Sequence, residues 1–324
     1  MALLGIGYYY FFTSFTGKNE TCYVYVDDDD NYDSLLVKLQ PFATTHGLHA
    51  FKTLSRHSNL VKHVRTGRFA IKPSMGAFVT FRHIKNGMQE PVNLTVPSVR
   101  TMQDLAEVLG NKLMLDSATI AQALSNEDTC HAYGYDTTTI AALFVPNTYD
   151  IYWNISLSGL LRRMQKENKH FWNDTRLAKA KDLKLTPEEV ATLASIVDEE
   201  TANNGEKPDV AGMYLNRIKQ GMPLQADPTV KFALQQFHLR RIYHSMLTID
   251  NPYNTYNREG LPPGPIRIPS MAGINAVLNA TEHDYLYMCA KEDFSGTHRF
   301  AKTYSEHLAN ARRYTKALNE RGVK

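Results

Sequence analysis

Three consecutive acids, Asp198, Glu199 and Glu200, close a run of residues whose spacing is helical. Thr186 is a good N-cap, Pro187 suits the first helical position, and Glu189 sits three residues after the cap, as in a capping box. Val190, Leu193, Ala194 and Val197 then recur at helical intervals. At about 100° per residue, Glu200 falls between Ile196 and Val197 on the apolar stripe, whereas Asp198 and Glu199 turn to the polar side with Glu188 and Ser195. A carboxyl on an apolar face is desolvated, which raises its pKa. If the helix ends near Thr201, the negative end of its dipole acts in the same direction. An acid still protonated near neutrality can donate to a poor leaving group. The same position would also suit a buried acid in a structural hydrogen-bond network, so periodicity alone leaves both roles open.

The elements that must hold Glu200 follow it in the chain. A second helix is expected from about Pro208 to a stop at Gly221, with Val210, Met213, Tyr214 and Ile218 inward and Asn216 and Arg217 flanking that stripe. A sharp turn is expected at Asp227-Pro228, where Asp227 either caps a helix beginning at Thr229 or supplies a second carboxyl. Tyr253–Pro269 carries four prolines and two glycines, so it reads as an ordered, irregular loop. Its GLPPGPI run suits either a clamp that braces the fold or a wall that meets substrate. Met271–Asn279 reads as a helix, Tyr285–Ala290 as a buried strand and Tyr304–Arg321 as a final amphipathic helix.

Three motifs in order, SIVDEET with VAGMYLNRIKQGMPLQADPTV, YNTYNREGLPPGPIRIP, and the pair Tyr285-Leu286-Tyr287-Met288 and His298-Arg299-Phe300, resemble the YceG/MltG family of endolytic murein transglycosylases. The likeness is dense from Pro146 to the C-terminus and traceable in order before it. Leu143–Tyr149 is similar to the family's EG-x-LFPDTY segment, but Ala141 and Ala142 stand where Glu-Gly is frequent and Asn147 replaces Asp. Contacts made by those acids therefore do not transfer, while Thr148 and Tyr149 keep the pattern.

The resemblance implies cleavage of the β-1,4 bond between N-acetylmuramic acid and N-acetylglucosamine without water, leaving a 1,6-anhydro end. The nucleophile is the sugar's own C6 hydroxyl, so its effective concentration is already high. One carboxyl can then serve as acid and as base. Glu200 aligns with the catalytic acid. Gln225, Asp227, Asn254, Thr255, Tyr256, His298, Thr148 and Tyr149 are implied to bind substrate. A muramidase-type hydrolase using Glu200 and Asp227 is the alternative enzyme, since hydrolysis needs a second carboxyl about 5–9.5 Å away. The alternative outside catalysis is an inactive glycan-binding scaffold.

The expected fold is α+β: a partial membrane anchor at 1–16, a small LysM-like α+β module at 17–90, and a helix-rich α+β catalytic domain at 91–324. Ala2–Phe15 is mostly apolar or aromatic. A spanning helix needs about 20 such residues, so the run reads as the outer half of an anchor or as a buried N-terminal element. Beyond it, CYVYV, RFAIKPSMGAFVTFRHIKNG and VNLTV each begin a strand–turn–helix unit. In the family this region is LysM-like and would bind glycan; it would equally serve as a spacer. The run Asp27–Asp30 reads as a solvated turn, and 116–181 as mostly helical, with Ser156 capping a helix.

The chain of 324 residues has 43% hydrophobic and 21% charged residues, ordinary for a globular protein. A net charge of +3 with no basic cluster argues against nucleic acid. Three widely spaced cysteines give neither a metal site nor a disulfide framework, and Cys289 reads as a small core residue. GxSxG, SxxK and HExxH are absent, and no cofactor or metal is implied. The resemblance places the protein at the cytoplasmic membrane, single-pass with the catalytic part outside, acting on peptidoglycan strands beside peptidoglycan synthases.

Overall fold

A computed structural model describes residues 2–239 and 241–321. The fold is helix-rich α+β with small two-stranded sheets. Packing divides it into two compact units that the chain enters more than once. Unit 1 comprises Met1–Thr95, Glu107–Ile120 and Thr148–Gly159; unit 2 comprises Val96–Ala106, Ala121–Asn147 and Leu160–Lys324.

In chain order the first elements are α1 (Ala2–Phe12), β1 (Cys22–Val26), α2 (Tyr32–Leu39), α3 (Thr45–Arg56), β2 (Gly67–Ile71), α4 (Ala77–Asn86), β3 (Val92–Val96) and α5 (Met102–Gly110). The repeated strand–turn–helix pattern is present, and the connectors 27–31, 72–76 and 97–101 have equal length. Antiparallel β1 and β2 pair Val24 with Phe69. Their buried faces join Leu35, Leu39, Phe51, Phe81 and Ile84 in one core. Asn31 caps α2 by accepting from the Asp33 and Ser34 amides. The acidic turn is less solvated than its composition suggests. Lys38 pairs with Asp27 and Asp30, and the Asp30 side chain is only 4% exposed.

Helix α1 has 11 residues, and no helix among the described residues is long and apolar enough to cross a membrane. Tyr10 and Phe11 pack on the unit 1 core, and Tyr9 stacks on His46. Tyr8, Tyr9 and Phe12 are more than half exposed.

The middle of the chain forms α6 (Ser117–Leu124), α7 (Glu127–Ala132), β4 (Asn147–Ile151), which pairs with β3, α8 (Leu157–Phe171) and α9 (Asp174–Asp182). Ser156 caps α8 through the Gly159 amide. Unit 2 continues with α10 (Pro187–Glu200), α11 (Lys207–Lys219), α12 (Asp227–Leu234), α13 (Met271–Leu278), the hairpin β5 (Tyr287–Ala290) and β6 (His298–Ala301), and α14 (Tyr304–Glu320). The α10 capping box forms as its sequence requires, Thr186 and Glu189 bonding each other's amides. Leu193, Ile196 and Val197 of α10 meet Val210, Met213 and Tyr214 of α11 and Val277 of α13 in the unit 2 core. Strand β5 is half-buried rather than buried.

No helix or strand interrupts residues 247–270. GLPPGPI here acts as a clamp. A Cβ on Gly264 would overlap the Thr138 carbonyl oxygen, so only glycine permits that approach. The Ile266 amide donates to Ser195 Oγ at 3.0 Å inside α10, and Ser195 is fully buried. Ser195→Ala would leave that buried amide without an acceptor, a cost of about 1–3 kcal/mol. Chemical denaturation should therefore show Ser195→Ala to be less stable by that amount; an unchanged midpoint would mean that another group receives the amide.

Candidate active site

The site begins at the last turn of α10. All three acids there are drawn out of solvent, which differs from the one-face reading: the Asp198 side chain is 3% exposed and Glu199's 13%. Asp198 receives Lys207 Nζ at 2.7 Å and both the amide and hydroxyl of Ser270. Glu199 is held by Arg100 and Arg267, each at 2.8 Å. A Cβ on Gly273 would lie 2.6 Å from the Asp198 carboxylate, so α13 closes on this acid only because glycine is there. Glu200 alone of the three has no ion-pair partner among the described residues. Its Oε1 accepts the Tyr214 hydroxyl at 2.7 Å.

Glu200 faces a cleft of about 350 Å³ with Tyr214, Arg217, Gln225, Asp227, Tyr256 and His298. Met213, Leu224, Met288 and the half-buried Cys289 supply apolar surface, so Cys289 is a cleft residue rather than a core one. Burial pushes the Glu200 carboxyl up to about 7; the Tyr214 hydrogen bond opposes this, the charge of Asp227 adds to it, and His298 and Lys231 pull back. Burial, with the Glu200 charge beside it, drives the Tyr214 phenol well above its ordinary range, so Tyr214 stays a donor.

Asp227 opens α12 as its first residue and is not a side-chain cap; the cap position is Ala226. The Asp227 carboxylate instead accepts the Tyr256 hydroxyl at 2.6 Å. The chain turns two residues earlier than the Asp227-Pro228 dipeptide suggests, because Gln225 takes a left-handed conformation, φ +53°. That strained residue is held by its amide on the Thr255 carbonyl and by Arg217 Nη2 on its Oε1 at 2.6 Å. Asn254 and Thr255 are buried behind the cleft and do not line it. Thr255 Oγ1 accepts the Ala226 amide, and Asn254 Nδ2 bonds the carbonyls of Leu247 and Ile249. They brace the loop that carries Tyr256. Thr148 and Tyr149 are on β4 in unit 1 and are not lining residues. Thr148 Oγ1 lies 2.8 Å from Thr95 Oγ1, and Tyr149 is buried.

His298, on β6, is fixed by Glu206, a residue that motif reading overlooks. Glu206 Oε2 lies 3.0 Å from His298 Nδ1, and its other oxygen accepts the His298 amide. Burial raises the Glu206 carboxyl, but the bonds from His298 and the Thr201 hydroxyl outweigh it and hold the group low. Tyr214 and Arg217 were visible only as residues on or beside an apolar stripe. A phenol on such a stripe needs a polar partner, and that was the available signal.

The cleft thus gathers a carboxyl raised by burial, a second carboxyl, phenols and a histidine on a helix-rich α+β scaffold. A model of the YceG-like family matches residues 24–313, and the chain belongs to that family. It is 36% identical over 166 residues to an endolytic murein transglycosylase of Bacillus subtilis, covering 51% of this chain and 45% of that protein. It is 26% identical over 298 residues to one of Streptococcus pneumoniae, covering 82% and 53%. The chain spans about half the length of these curated relatives. A putative YceG-like protein from Listeria monocytogenes shares the fold, with TM-score 0.57 and 22% identity over 90% of this chain and 99% of that one.

A carboxyl raised from its usual 4.5 to about 7 binds more protons folded than unfolded between those values. Its presence therefore makes stability fall as pH rises through that window. Glu200→Gln should gain stability relative to the native protein from pH 4.5 to 7 and keep that gain above 7. Thermal melts of both proteins from pH 4 to 8 check this, and parallel profiles would contradict the shift.

Proposed function

We propose that this chain cleaves murein glycan between N-acetylmuramic acid and N-acetylglucosamine as an endolytic transglycosylase, with Glu200 as acid and then base. The observation that carries the reading is a carboxyl with no ion-pair partner among the described residues, hydrogen-bonded to a phenol and poised near neutrality in a polar cleft. Tyr214 occupies Oε1, so the travelling proton is carried on Oε2. Protonated Glu200 gives it to the glycosidic oxygen as the C1–O bond breaks. The muramic C6 hydroxyl attacks C1, and Glu200 takes back the hydroxyl proton. No water is consumed, and the acid is regenerated in each turnover. Gln225, Asp227, Tyr256 and His298 supply hydrogen bonds to the sugars at the cleft wall, and Asn254 and Thr255 hold that wall in place.

A hydrolase with Asp227 as second carboxyl is favoured by one observation, that Asp227 shares the cleft and its charge acts on Glu200. Products separate the two. Mass spectrometry of digested uncrosslinked glycan strands should find 1,6-anhydro ends with the native protein. Glu200→Gln should reduce them by about 10²–10⁴-fold, the usual worth of a positioned acid or base. Reducing ends would favour the hydrolase, and no cleavage would favour a binding scaffold.

The LysM-like module of this reading, residues 17–90, lies within unit 1. A cleft on it is lined by Tyr23, Tyr25, Arg68, Asn93, Asp150 and Trp153, aromatic and polar groups of the kind that hold sugar rings. Trp153→Ala should weaken retention on insoluble murein without altering kcat on soluble strands; equal retention would leave unit 1 a spacer. The exposed aromatics of α1 support a position at a membrane interface as the outer part of a single-pass anchor. Work beside peptidoglycan synthases at the outer face of the cytoplasmic membrane rests on family membership.

A further inference from the structure

Among the described residues, Arg217 is a buried cation with no ion-pair partner. The residue is 7% exposed and lines the cleft. The one described hydrogen bond of its guanidinium runs to the neutral Gln225 amide oxygen, and Nε is enclosed without a partner. The titratable groups that act on it are the phenols of Tyr214, Tyr287 and Tyr256, with no carboxylate among them. Lys207, Arg100, Arg267 and Arg299 in the same unit each pair with an acid. A buried guanidinium left without a counter-ion is costly unless a ligand supplies one.

A second orphan group lies in the same wall. His307 Nδ1 is buried with no hydrogen-bond partner, its ring stacked on Tyr287 at 5.5 Å between centroids. Arg217 lies over that Tyr287 ring, 5.6 Å from its centroid. Burial and the nearby Arg217 charge both disfavour the histidine's own cation. The pair therefore offers one fixed positive charge and one neutral nitrogen that can share a hydrogen bond.

We propose that Arg217, with His307 beside it, is the carboxylate-recognition point of the cleft and selects glycan that carries an acid close to the scissile bond. Murein has two sources of that chemistry: the lactyl carboxyl of a peptide-free muramic residue and the carboxylates of a stem peptide. The choice of murein rests on the transglycosylase reading; the demand for a carboxylate rests on Arg217 alone. A planar guanidinium suits a carboxylate because two N–H groups meet two oxygens.

The test is equilibrium binding to the full chain carrying Glu200→Gln, which stops turnover. The probes are a peptide-free muramic-containing tetrasaccharide, its lactyl methylamide, the stem-peptide form, and an uncharged N-acetylglucosamine tetramer. A carboxylate should bind roughly 10- to 100-fold more tightly than the methylamide, the worth of a charge-assisted hydrogen bond. Arg217→Gln should erase that preference, and Arg217→Lys should restore part of it. Whichever of the lactyl and peptide forms shows the preference identifies the source. Equal affinity of acid and amide, or equal loss of both in Arg217→Gln, overturns the proposal. The acid–amide comparison needs no Arg217 variant, so it decides even if Arg217→Gln fails to fold. Failure of the transglycosylase reading is a separate outcome: the carboxylate preference holds while the native protein makes no anhydro ends.

Discussion

The lack of an ion-pair partner for Glu200 among the described residues is the constraint on which the rest of the site depends. Three carboxyls leave solvent at the end of one helix, and burying three negative charges together is not tolerable without compensation. Two are neutralised in full: Asp198 by Lys207 with Ser270, and Glu199 by Arg100 with Arg267. The third receives only a phenol. Burial consequently sets its proton affinity, and the acid stays poised between its two forms.

The remaining elements can be understood from that difference. Asp198 and Glu199 fasten the end of α10 to the start of α13 and to Arg100, just before α5, which stops the last turn from fraying. The proline-rich clamp adds the Ile266–Ser195 bond one turn earlier. Helix α11 brings Tyr214 to Glu200 and Arg217 to Gln225, so one helix both tunes the acid and pins the strained residue across the cleft. The Glu206–His298 pair then ties the N-terminal end of that helix to β6. A frame of charged pairs thus surrounds Glu200, which has no ion pair of its own among the described residues.

Local signals were the ones legible in the sequence. The α10 capping box, Pro187, the Gly221 stop and the three strand–turn–helix units all depend on residues a few positions apart, and all formed. The position of Glu200 on the apolar stripe of α10 followed from helical geometry. Compensation over long sequence distances was not legible. The burial of Asp198 depends on Ser270, 72 residues away, and that of Glu199 on Arg100, 99 residues away. The turn at Gln225 carries no glycine to announce it, since distant groups hold the left-handed backbone. Asn254 and Thr255 carry the same motif as Tyr256, yet only the third faces the cleft. A motif marks a loop, while packing decides which of its side chains meets the cavity.

The central claim is that Glu200 holds its proton near neutrality, and direct titration of its side-chain carboxyl tests this most closely. Carbon-detected NMR of the glutamate-labelled protein, with Glu200→Gln to assign the resonance, would follow the carboxyl carbon from pH 3 to 9. The account predicts a midpoint near 7. A midpoint near the ordinary 4.5 would contradict it, because Glu200 would then be ionised at neutral pH with no proton to give.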